Sequence, residues 1–511
     1  MEKKVRVRFA PSPTGGLHLG GVRTVLYNFL FARQHRGDFI LRIEDTDQNR
    51  YVEGAEPYIY ETLRWCGLEA DESPERGGAF GPYRQSERKP IYRKYAMQLV
   101  DAGKAYYAFD TPSELEEMRN TMRTESRPSP QYDHHTRMSM RNSLTLDAGE
   151  TRRLLDAGTP YVIRIKMPEG ETVSFDDMIR GKVEFSTSQT DDKVLLKADG
   201  MPTYHLAVVV DDHLMEISHA FRGEEWLPSA PVHILLWRWL FGENLMPQWA
   251  HLPLILKPDG NGKLSKRDSG RLGIPIYAMD WKDPQTGEII AGFRETGFLP
   301  EAFVNMLALL GWNDGTEQEI YSMAELIEKF SIDRVHKAGA KFNYEKAKWF
   351  NQEWIRKLEM DELSPQVRKL YTTKGIDAGD DVFLRKVIHL IRERCHLLPE
   401  FYIQGRFFFA APGSWDLDAI RPKWNAAKAD FFKSFVNIFP EIKEWNAFAL
   451  ESRFKEMAAA KQIKPGDLQL PLRIMLVGEK SGPPVFDIAA LLGSGETENR
   501  ILNLLNQTGN W

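Results

Sequence analysis

Two short stretches carry residue types suited to chemistry at a polyphosphate. The first is Gly15-Gly16-Leu17-His18-Leu19-Gly20-Gly21, which runs into apolar residues at helical spacing, namely Val22, Val25, Leu26, Phe29 and Leu30. Glycines such as Gly20 let a phosphate chain approach the backbone, and a helix N-terminus offers free N–H groups and a partial positive charge. A histidine held there can hydrogen-bond a phosphoryl oxygen as charge builds during displacement at phosphorus. A plain tight turn with a surface histidine would read the same way. The second stretch is Lys263-Leu264-Ser265-Lys266-Arg267, preceded by Lys257-Pro258-Asp259-Gly260-Asn261-Gly262. Three cations within five residues can gather on a departing pyrophosphate, and the Gly and Asn residues predict a mobile loop that closes over it. A basic loop alone is usually a solvated face. His18 and Lys263 stand 245 residues apart, and together they point to one nucleotide site.

The elements that must hold these groups follow from periodicity. Val5, Val7 and Phe9 alternate with Arg6 and Arg8 as in a strand. Pro11 to Gly16 forbids regular structure. Phe39-Ile40-Leu41-Arg42-Ile43 reads as a strand inside a parallel sheet. A βαβ unit with a glycine-rich first turn is the phosphate-binding half of a doubly wound fold. Arg84 to Lys193 reads as an inserted module, with a polar, flexible loop at Arg119–Arg141. Val194-Leu195-Leu196-Lys197 restarts a buried-strand pattern that continues at Tyr204 to Val210. From Asn343 onward the pattern is helical, with breaks at Pro365, Gly375, Pro412-Gly413, Pro440 and Pro465-Gly466.

Composition limits the class. A chain of 511 residues predicts about three or four domains. Its 42% hydrophobic and 27% charged residues exclude a largely disordered chain. No apolar run reaches the ~18–20 residues of a membrane span, and Met-Glu-Lys-Lys-Val-Arg has no apolar signal core. Two cysteines, Cys66 and Cys395, cannot build a disulfide scaffold or a four-thiolate zinc site. These features predict a reduced, cytoplasmic protein. The net charge of −5 divides into −8 for residues 1–340 and +3 for residues 341–511, so a nucleic-acid surface is permitted in the last third.

A phosphate-binding turn after the first strand and a cationic loop after the last resemble the two signatures of the class I aminoacyl-tRNA synthetases. They stand here as His18-Leu19-Gly20-Gly21 and Lys263-Leu264-Ser265-Lys266-Arg267. Further stretches resemble the bacterial glutamyl-tRNA synthetases: Arg8 to Gly15, Arg42-Ile43-Glu44-Asp45-Thr46-Asp47, Gly81 to Arg88, Tyr204-His205-Leu206-Ala207, Arg222-Gly223-Glu224-Glu225-Trp226 and Gln469 to Arg473. The resemblance covers nearly the whole chain. It implies an α/β, Rossmann-like parallel-sheet catalytic domain over 1–83 and 194–255, with an acceptor-stem-binding α/β module inserted at 84–193. A stem-contact region at 256–340 carries the cationic loop. An all-α anticodon-binding region follows at 341–511, in two parts that break near 410.

The same resemblance implies the roles of individual residues. His18, Lys263 and Lys266 would serve catalysis, and Ser12, Gly20, Glu225, Trp226, Lys263, Lys266 and Arg267 would bind ATP. Glutamate would be held by Arg8, Ala10, Ser12, Glu44, Tyr204 and Arg222, with Glu44 on the ammonium and the arginines on carboxylate, where a planar guanidinium pairs bidentately. Without the resemblance, Tyr204 reads as core and Arg222 as a surface charge. Arg394 would read the anticodon, although Arg392-Glu393-Arg394 is also an ordinary solvated face. Phe401-Tyr402 and Phe407-Phe408-Phe409 read as helix-packing core. The implied reaction is ATP-dependent activation of L-glutamate to the adenylate, with Mg²⁺ on the phosphates, and transfer to the terminal adenosine of tRNA(Glu). Activation would wait for bound tRNA. The protein would be a monomer with no membrane attachment. The sequence departs from the family at Gly21 and at Val208, the latter putting one substrate contact in doubt. Ala105-Tyr106-Tyr107-Ala108-Phe109 lacks the cysteines with which some relatives bind zinc, so no zinc is expected, and a metal site at Asp45 and Asp47 is the weaker alternative for those acids. The rival readings are a glutaminyl enzyme, whose anticodon region would be a β-barrel; a truncated paralogue; a small nucleotidyltransferase; and a non-catalytic RNA-binding paralogue, which would be expected to lose His18 or Lys266.

Overall fold

The computed structural model of the chain describes residues 4–125, 128–260 and 262–508, with the side chains of Lys266 and Thr508 outside the description. The described residues form two compact units, Met1–Glu295 with Phe303–Tyr344, and Thr296–Ala302 with Glu345–Trp511.

The first unit opens with β1 (Arg6–Phe9), α1 (Leu19–Gln34) and β2 (Asp38–Leu41), the two strands parallel with Val7 opposite Phe39. The chain continues through α2 (Ala55–Trp65), α3 (Lys89–Asp101), β3 (Ala105–Ala108), α4 (Pro112–Thr121), α5 (Ala148–Asp156), β4 (Val162–Ile165), β5 (Thr172–Asp177), β6 (Gly181–Ser186) and β7 (Val194–Leu196). After these come α6 (Tyr204–Leu214), β8 (His219–Gly223), α7 (Ala230–Leu240), β9 (Gln248–Leu252), β10 (Ile255–Leu256) and α8 (Lys266–Leu272). The central sheet has the order β2-β1-β8-β9-β5-β6, parallel except for β5 against β6. The chain leaves β1 toward β2 on one side and later extends from β8 to β9 on the other. The switch point therefore lies between β1 and β8, and such folds bind ligands at the carboxyl ends of the strands there.

All four residues of β1 are buried, Arg6 and Arg8 included, so the alternation in the sequence is not an inside–outside pattern. Arg6 pairs with Asp38 at 2.8 Å and Glu72 at 2.9 Å. Arg8 donates from Nε to Asp212 at 3.1 Å. A buried charge is tolerated only when it is paired and hydrogen-bonded in this way.

Three expectations are corrected. Tyr204 to Val210 is helix, within α6, rather than strand. Residues Leu206 to Asp212 are buried without a break, and a helix enclosed on every side loses the period that tells it from a buried strand. β7 pairs with β4 rather than with the parallel sheet. The insertion at 84–193 is not self-contained either: β5 and β6 lie in the central sheet, and Tyr92, Ala96 and Leu99 of α3 share the core of α6 and α7. The antiparallel β3-β4-β7 is a separate sheet: it shares the core of α6 and α7 through Ala105, Ile163, Ile165, Leu195 and Leu196, and it carries a second cluster of Tyr106, Ala108, Met118, Tyr132 and Met140.

The stretch expected as a flexible loop, 119–141, is built into that cluster, apart from Ser126 and Arg127, which lie outside the described residues. Arg137 reaches the buried Asp192, with Nη1 donating at 3.1 Å, and its Nη2 donates to the carbonyl of Met167 at 2.9 Å. Asp192 also accepts from the Tyr106 hydroxyl at 2.7 Å and from the backbone N–H of Met167 at 3.0 Å. The polar letters of this stretch are thus partly buried groups satisfied across the fold.

The described residues after Tyr344 form helices and turns with no strand. Phe401, Phe407 and Phe408 are buried in them, in agreement with the core reading. The expected break near 410 is bridged: Arg406 pairs with Glu479, and the backbone N–H of Asp416 donates to the carbonyl of Gly478 at 2.9 Å. Among the described residues no helix is long and apolar enough to cross a membrane.

Burial pushes the Asp192 carboxyl up to about 6 despite the hydrogen bond from Tyr106 and the charge of Arg137. Arg137→Met, which leaves that carboxylate without its cation, is expected to destabilise the module by about 3 kcal/mol at pH 8. The deficit should be smaller at pH 5, where Asp192 protonates. Hydrogen exchange of residues 128–192 at the two pH values measures it.

Candidate functional site

The carboxyl ends of β1 and β8 open into a cleft of about 450 Å³. At one side stands the start of α1. His18 is its N-cap, and the His18 Nδ1 accepts the backbone N–H of Gly20 at 3.2 Å. A backbone N–H can only donate, so Nδ1 carries no proton and the ring proton sits on Nε2. A Cβ at position 20 would stand 3.2 Å from the His18 ring, so Gly20 is needed as much for the histidine as for backbone approach. Ser12 and Ala10 line the same cleft.

The cationic segment is a hairpin. Lys257 N–H donates to the carbonyl of Gly262 at 3.0 Å and Leu264 N–H to that of Ile255 at 2.9 Å. Gly260 and Gly262 make the reversal at φ +81° and +90°, a backbone region that side chains rarely adopt. Ser265 then caps α8 reciprocally with Asp268, which also receives Lys257 at 3.2 Å and Arg271 at 3.1 Å. The hydrogen bond from Ser265, with these cations, holds the Asp268 carboxyl far below the usual carboxylate range. Lys263 lines the cleft, its Nζ 2.6 Å from Oε1 of Glu225. Burial pushes Glu225 up, but the hydrogen bond from Lys263 and the other groups around it outweigh burial and keep it below the usual range. Arg267 is exposed and does not line the cleft. Lys266 begins α8, and its side chain lies outside the described residues.

At the other side the cleft presents two arginines and one acid. Arg222 is buried at 7% exposure, not a surface charge, and its Nη1 donates to the Tyr204 hydroxyl at 3.1 Å. Tyr204 is half-buried, and its ring lies 4.6 Å from that of the exposed Trp226. Arg8 and Arg42 both reach Asp212, at 3.1 and 2.9 Å. Burial pushes Asp212 up, but the two guanidinium groups outweigh it and hold the carboxyl below its ordinary value. Glu44 receives the other end of Arg42 at 3.2 Å. Burial drives Glu44 up to about 7 even so, with Asp212 adding repulsion. An acid in that condition gains from any cation brought to it.

The remaining expectations divide. Val208 is 3% exposed within the core around α6 and does not line the cleft. Asp45 accepts the backbone N–H of Ser86 at 2.8 Å and Asp47 pairs with Arg50 at 2.6 Å. Among the described residues no three potential metal ligands converge. Arg394 is exposed in a short turn, whereas Arg392 caps the end of the helix Tyr344–Lys357, donating to the carbonyls of Ile355 at 3.0 Å and of Arg356. Burial, and then the charge of Arg394, lower the pKa of Arg473. Sequence reading missed His233 and His251, which bond to Arg222, and His205 and Asp177, which bond to those two histidines in turn. Their only signal is a histidine set within an apolar run, as in Val232-His233-Ile234 and Ala250-His251-Leu252.

The fold and the cleft have known counterparts. Residues 4–349 match the family of class I tRNA synthetases (E and Q), catalytic domain, and residues 344–505 match an anticodon binding domain. That makes the molecule a class I aminoacyl-tRNA synthetase, a ligase with a helical tRNA-binding region. The chain is 51% identical over 510 residues to a glutamate–tRNA ligase of Porphyromonas gingivalis, covering 100% of both chains. It is 50% identical over 509 residues to one of Amoebophilus asiaticus, covering 99% of this chain and 98% of the other. A glutamate–tRNA ligase of Elizabethkingia meningosepticum, crystallised with its amino acid, superposes with a TM-score of 0.93 at 46% identity over 99% of each chain. The chain belongs to the glutamate–tRNA ligases.

The raised pKa of Glu44 has a consequence for stability. A carboxyl whose folded pKa lies above its unfolded value favours folding below the unfolded pKa and loses that contribution as pH rises through the folded one. Glu44→Gln is therefore expected to stabilise the substrate-free protein at pH 8 by up to about 3 kcal/mol. The gain should vanish near pH 4.5. Melting temperatures at the two pH values test this.

Proposed function

We propose that this cleft binds glutamate between Arg8, Arg222 and Tyr204 at the side-chain carboxylate and Glu44 at the ammonium. The observation that carries this reading is the pairing of two buried guanidinium groups with a buried, pKa-raised acid in one cleft. A cation pair opposite the side chain favours carboxylate over carboxamide, and an acid near neutrality is stabilised by an incoming ammonium.

ATP, entering as its magnesium complex, lies in this reading along the α1 terminus, with Ser12, Gly20, Glu225 and Trp226 around it. The α-carboxylate of glutamate attacks the α-phosphorus while the His18 Nε2–H donates to a phosphoryl oxygen. Lys263, at present held by Glu225, turns with Lys266 and Arg267 to the leaving pyrophosphate. The terminal hydroxyl of tRNA(Glu) then attacks the adenylate carbonyl, with a phosphate oxygen as the base. Arg394, beside Arg473, serves anticodon recognition, where exposed guanidinium planes suit unstacked bases. No zinc enters: both cysteines, Cys66 and Cys395, are buried and free. The protein acts as a cytoplasmic monomer.

ATP–pyrophosphate exchange with glutamate or glutamine, each with and without tRNA(Glu), tests the reading. Exchange is expected with glutamate only, and only when tRNA is present; a preference for glutamine overturns the roles of Arg8 and Arg222. Lys266→Ala should lower the exchange rate by roughly 100-fold with little change in glutamate binding, and near-normal exchange would remove its leaving-group role. Arg222→Cys should weaken glutamate use without altering the KM for ATP.

A further inference from the structure

Among the described residues no carboxylate lies within ion-pair distance of Arg222. Its surroundings are instead three neutral acceptors: His251 Nε2 accepts from Nε at 2.9 Å, while His233 Nδ1 and the Tyr204 hydroxyl both accept from Nη1 at 3.1 Å. The guanidinium lies over the ring of Trp249, 4.9 Å from its centre. Nη2 is buried and has no partner among the described residues. One edge of a buried fork is thus left for an anionic ligand, and everything else about it is fixed.

The protonation states that fix it follow from donor chemistry. A guanidinium can only donate, so His251 must accept at Nε2 and carry its proton on Nδ1. That proton points to Asp177, whose Oδ2 lies 2.6 Å from Nδ1 and also accepts the His251 backbone N–H at 3.1 Å. Asp177 is itself held: its Oδ1 accepts the backbone N–H groups of Ile179 at 3.0 Å and Arg180 at 2.9 Å. The parallel register that sets Asp177 opposite Trp249 brings the end of β5 beside β9. By the same rule His233 accepts from Arg222 at Nδ1 and donates from Nε2 to His205 Nδ1, 3.2 Å away.

We propose that Asp177, acting through His251, is a positioning residue for Arg222, and that it aims the unpaired edge of the guanidinium at the substrate's side-chain carboxylate. The inference rests on reading Arg222 as a glutamate ligand. Asp177→Asn separates the charge and tautomer from the shape. If the new amide nitrogen takes the place of Oδ2, it meets the His251 backbone N–H and forces Nδ1 to accept, which puts Nε2–H against the Nε–H of Arg222. If the amide turns over, it opposes the N–H groups of Ile179 and Arg180. His251→Gln keeps both bonds, since its amide can donate to Asp177 and accept from Arg222. His251→Phe keeps the volume and loses both.

The test is glutamate KM, ATP KM and kcat in tRNA-dependent exchange for these variants and for Arg222→Lys, with melting temperatures alongside. Arg222→Lys, Asp177→Asn and His251→Phe are each expected to raise glutamate KM by about tenfold or more with ATP KM nearly unchanged, and His251→Gln to stay within about threefold. Asp177→Asn added to Arg222→Lys should have little further effect, because interacting groups are not additive. If Arg222→Lys weakens glutamate but Asp177→Asn and His251→Phe do not, the positioning role is wrong and the ligand reading stands. If Asp177→Asn has its full effect in the Arg222→Lys background, Asp177 does not act through Arg222. If Arg222→Lys itself leaves glutamate KM unchanged, the ligand reading falls. Should Asp177→Asn fail to fold, His251→Phe against His251→Gln decides: equal effects overturn the proposal.

Discussion

Two adjacent aspartates near the end of α6 hold the catalytic unit together. Asp211 and Asp212 are 0% and 4% exposed, and neighbouring residues on a helix point about 100° apart, so they take largely different partners and share only Arg42, which lies 3.8 Å from Asp211 and 2.9 Å from Asp212. Asp211 accepts from Gln85, Arg88 and the Tyr92 hydroxyl, each at 2.8 Å, which ties the start of α3 to α6. Asp212 takes Arg8 of β1 and Arg42 beyond β2. Removing one partner would leave a buried charge uncompensated, which is far more costly than never having built the pair. The same contacts orient Arg8 and leave Arg42 with only part of its charge for Glu44. Binding polarity in the cleft is therefore a by-product of how the helix is anchored to the sheet.

The two ends of the cleft obey one electrostatic rule in opposite ways. Arg222 is kept charged among neutral histidines, since burial and the Arg222 charge hold His233 far below the normal range and burial lowers His205 to about 4. Glu44 is kept close to neutrality by burial beside a better-placed rival, Asp212. The cleft thus contains a cation with no carboxylate in ion-pair distance among the described residues and an acid that shares its one guanidinium, Arg42, with Asp212. In the proposed binding mode a zwitterion with an extra carboxylate meets both groups together, whereas a neutral amino acid meets one.

Much of this was legible from the sequence, and the failures have physical causes. β1, α1 and β2 follow from periodicity, and the motifs placed Arg8, His18, Glu44, Tyr204, Arg222 and Lys263 on one cleft. Val208-Val209-Val210 misled because β-branched residues buried on all sides carry no phase. Thr172 to Asp177 does alternate exposed and buried in the structure, but nothing local says which sheet receives it. Asp177 and His251 are 74 residues apart, and their bond depends on the register of two strands joined through α6, α7 and other strands. Hydrogen-bonded pairings of that range have no signature in a single sequence. The polarity of 119–141 suggested solvent, when Arg137 was instead reserved for Asp192.

The anchoring of β1 also sets an order of events during synthesis. Asp212 follows Arg8 by 204 residues. At about 5–20 residues per second, the first strand waits roughly 10–40 s on the ribosome before its counter-ion exists. Its second edge stays unpaired for as long, because β8 is still unmade when β1 and β2 emerge. The three-stranded module between them cannot finish first either, because Ala105, Ile163, Ile165, Leu195 and Leu196 of its strands share their core with α6 and α7, which follow it in the chain. The sheet that carries the signature histidine therefore closes late, only once α6 and β8 have been made, with one edge of its first strand open until then.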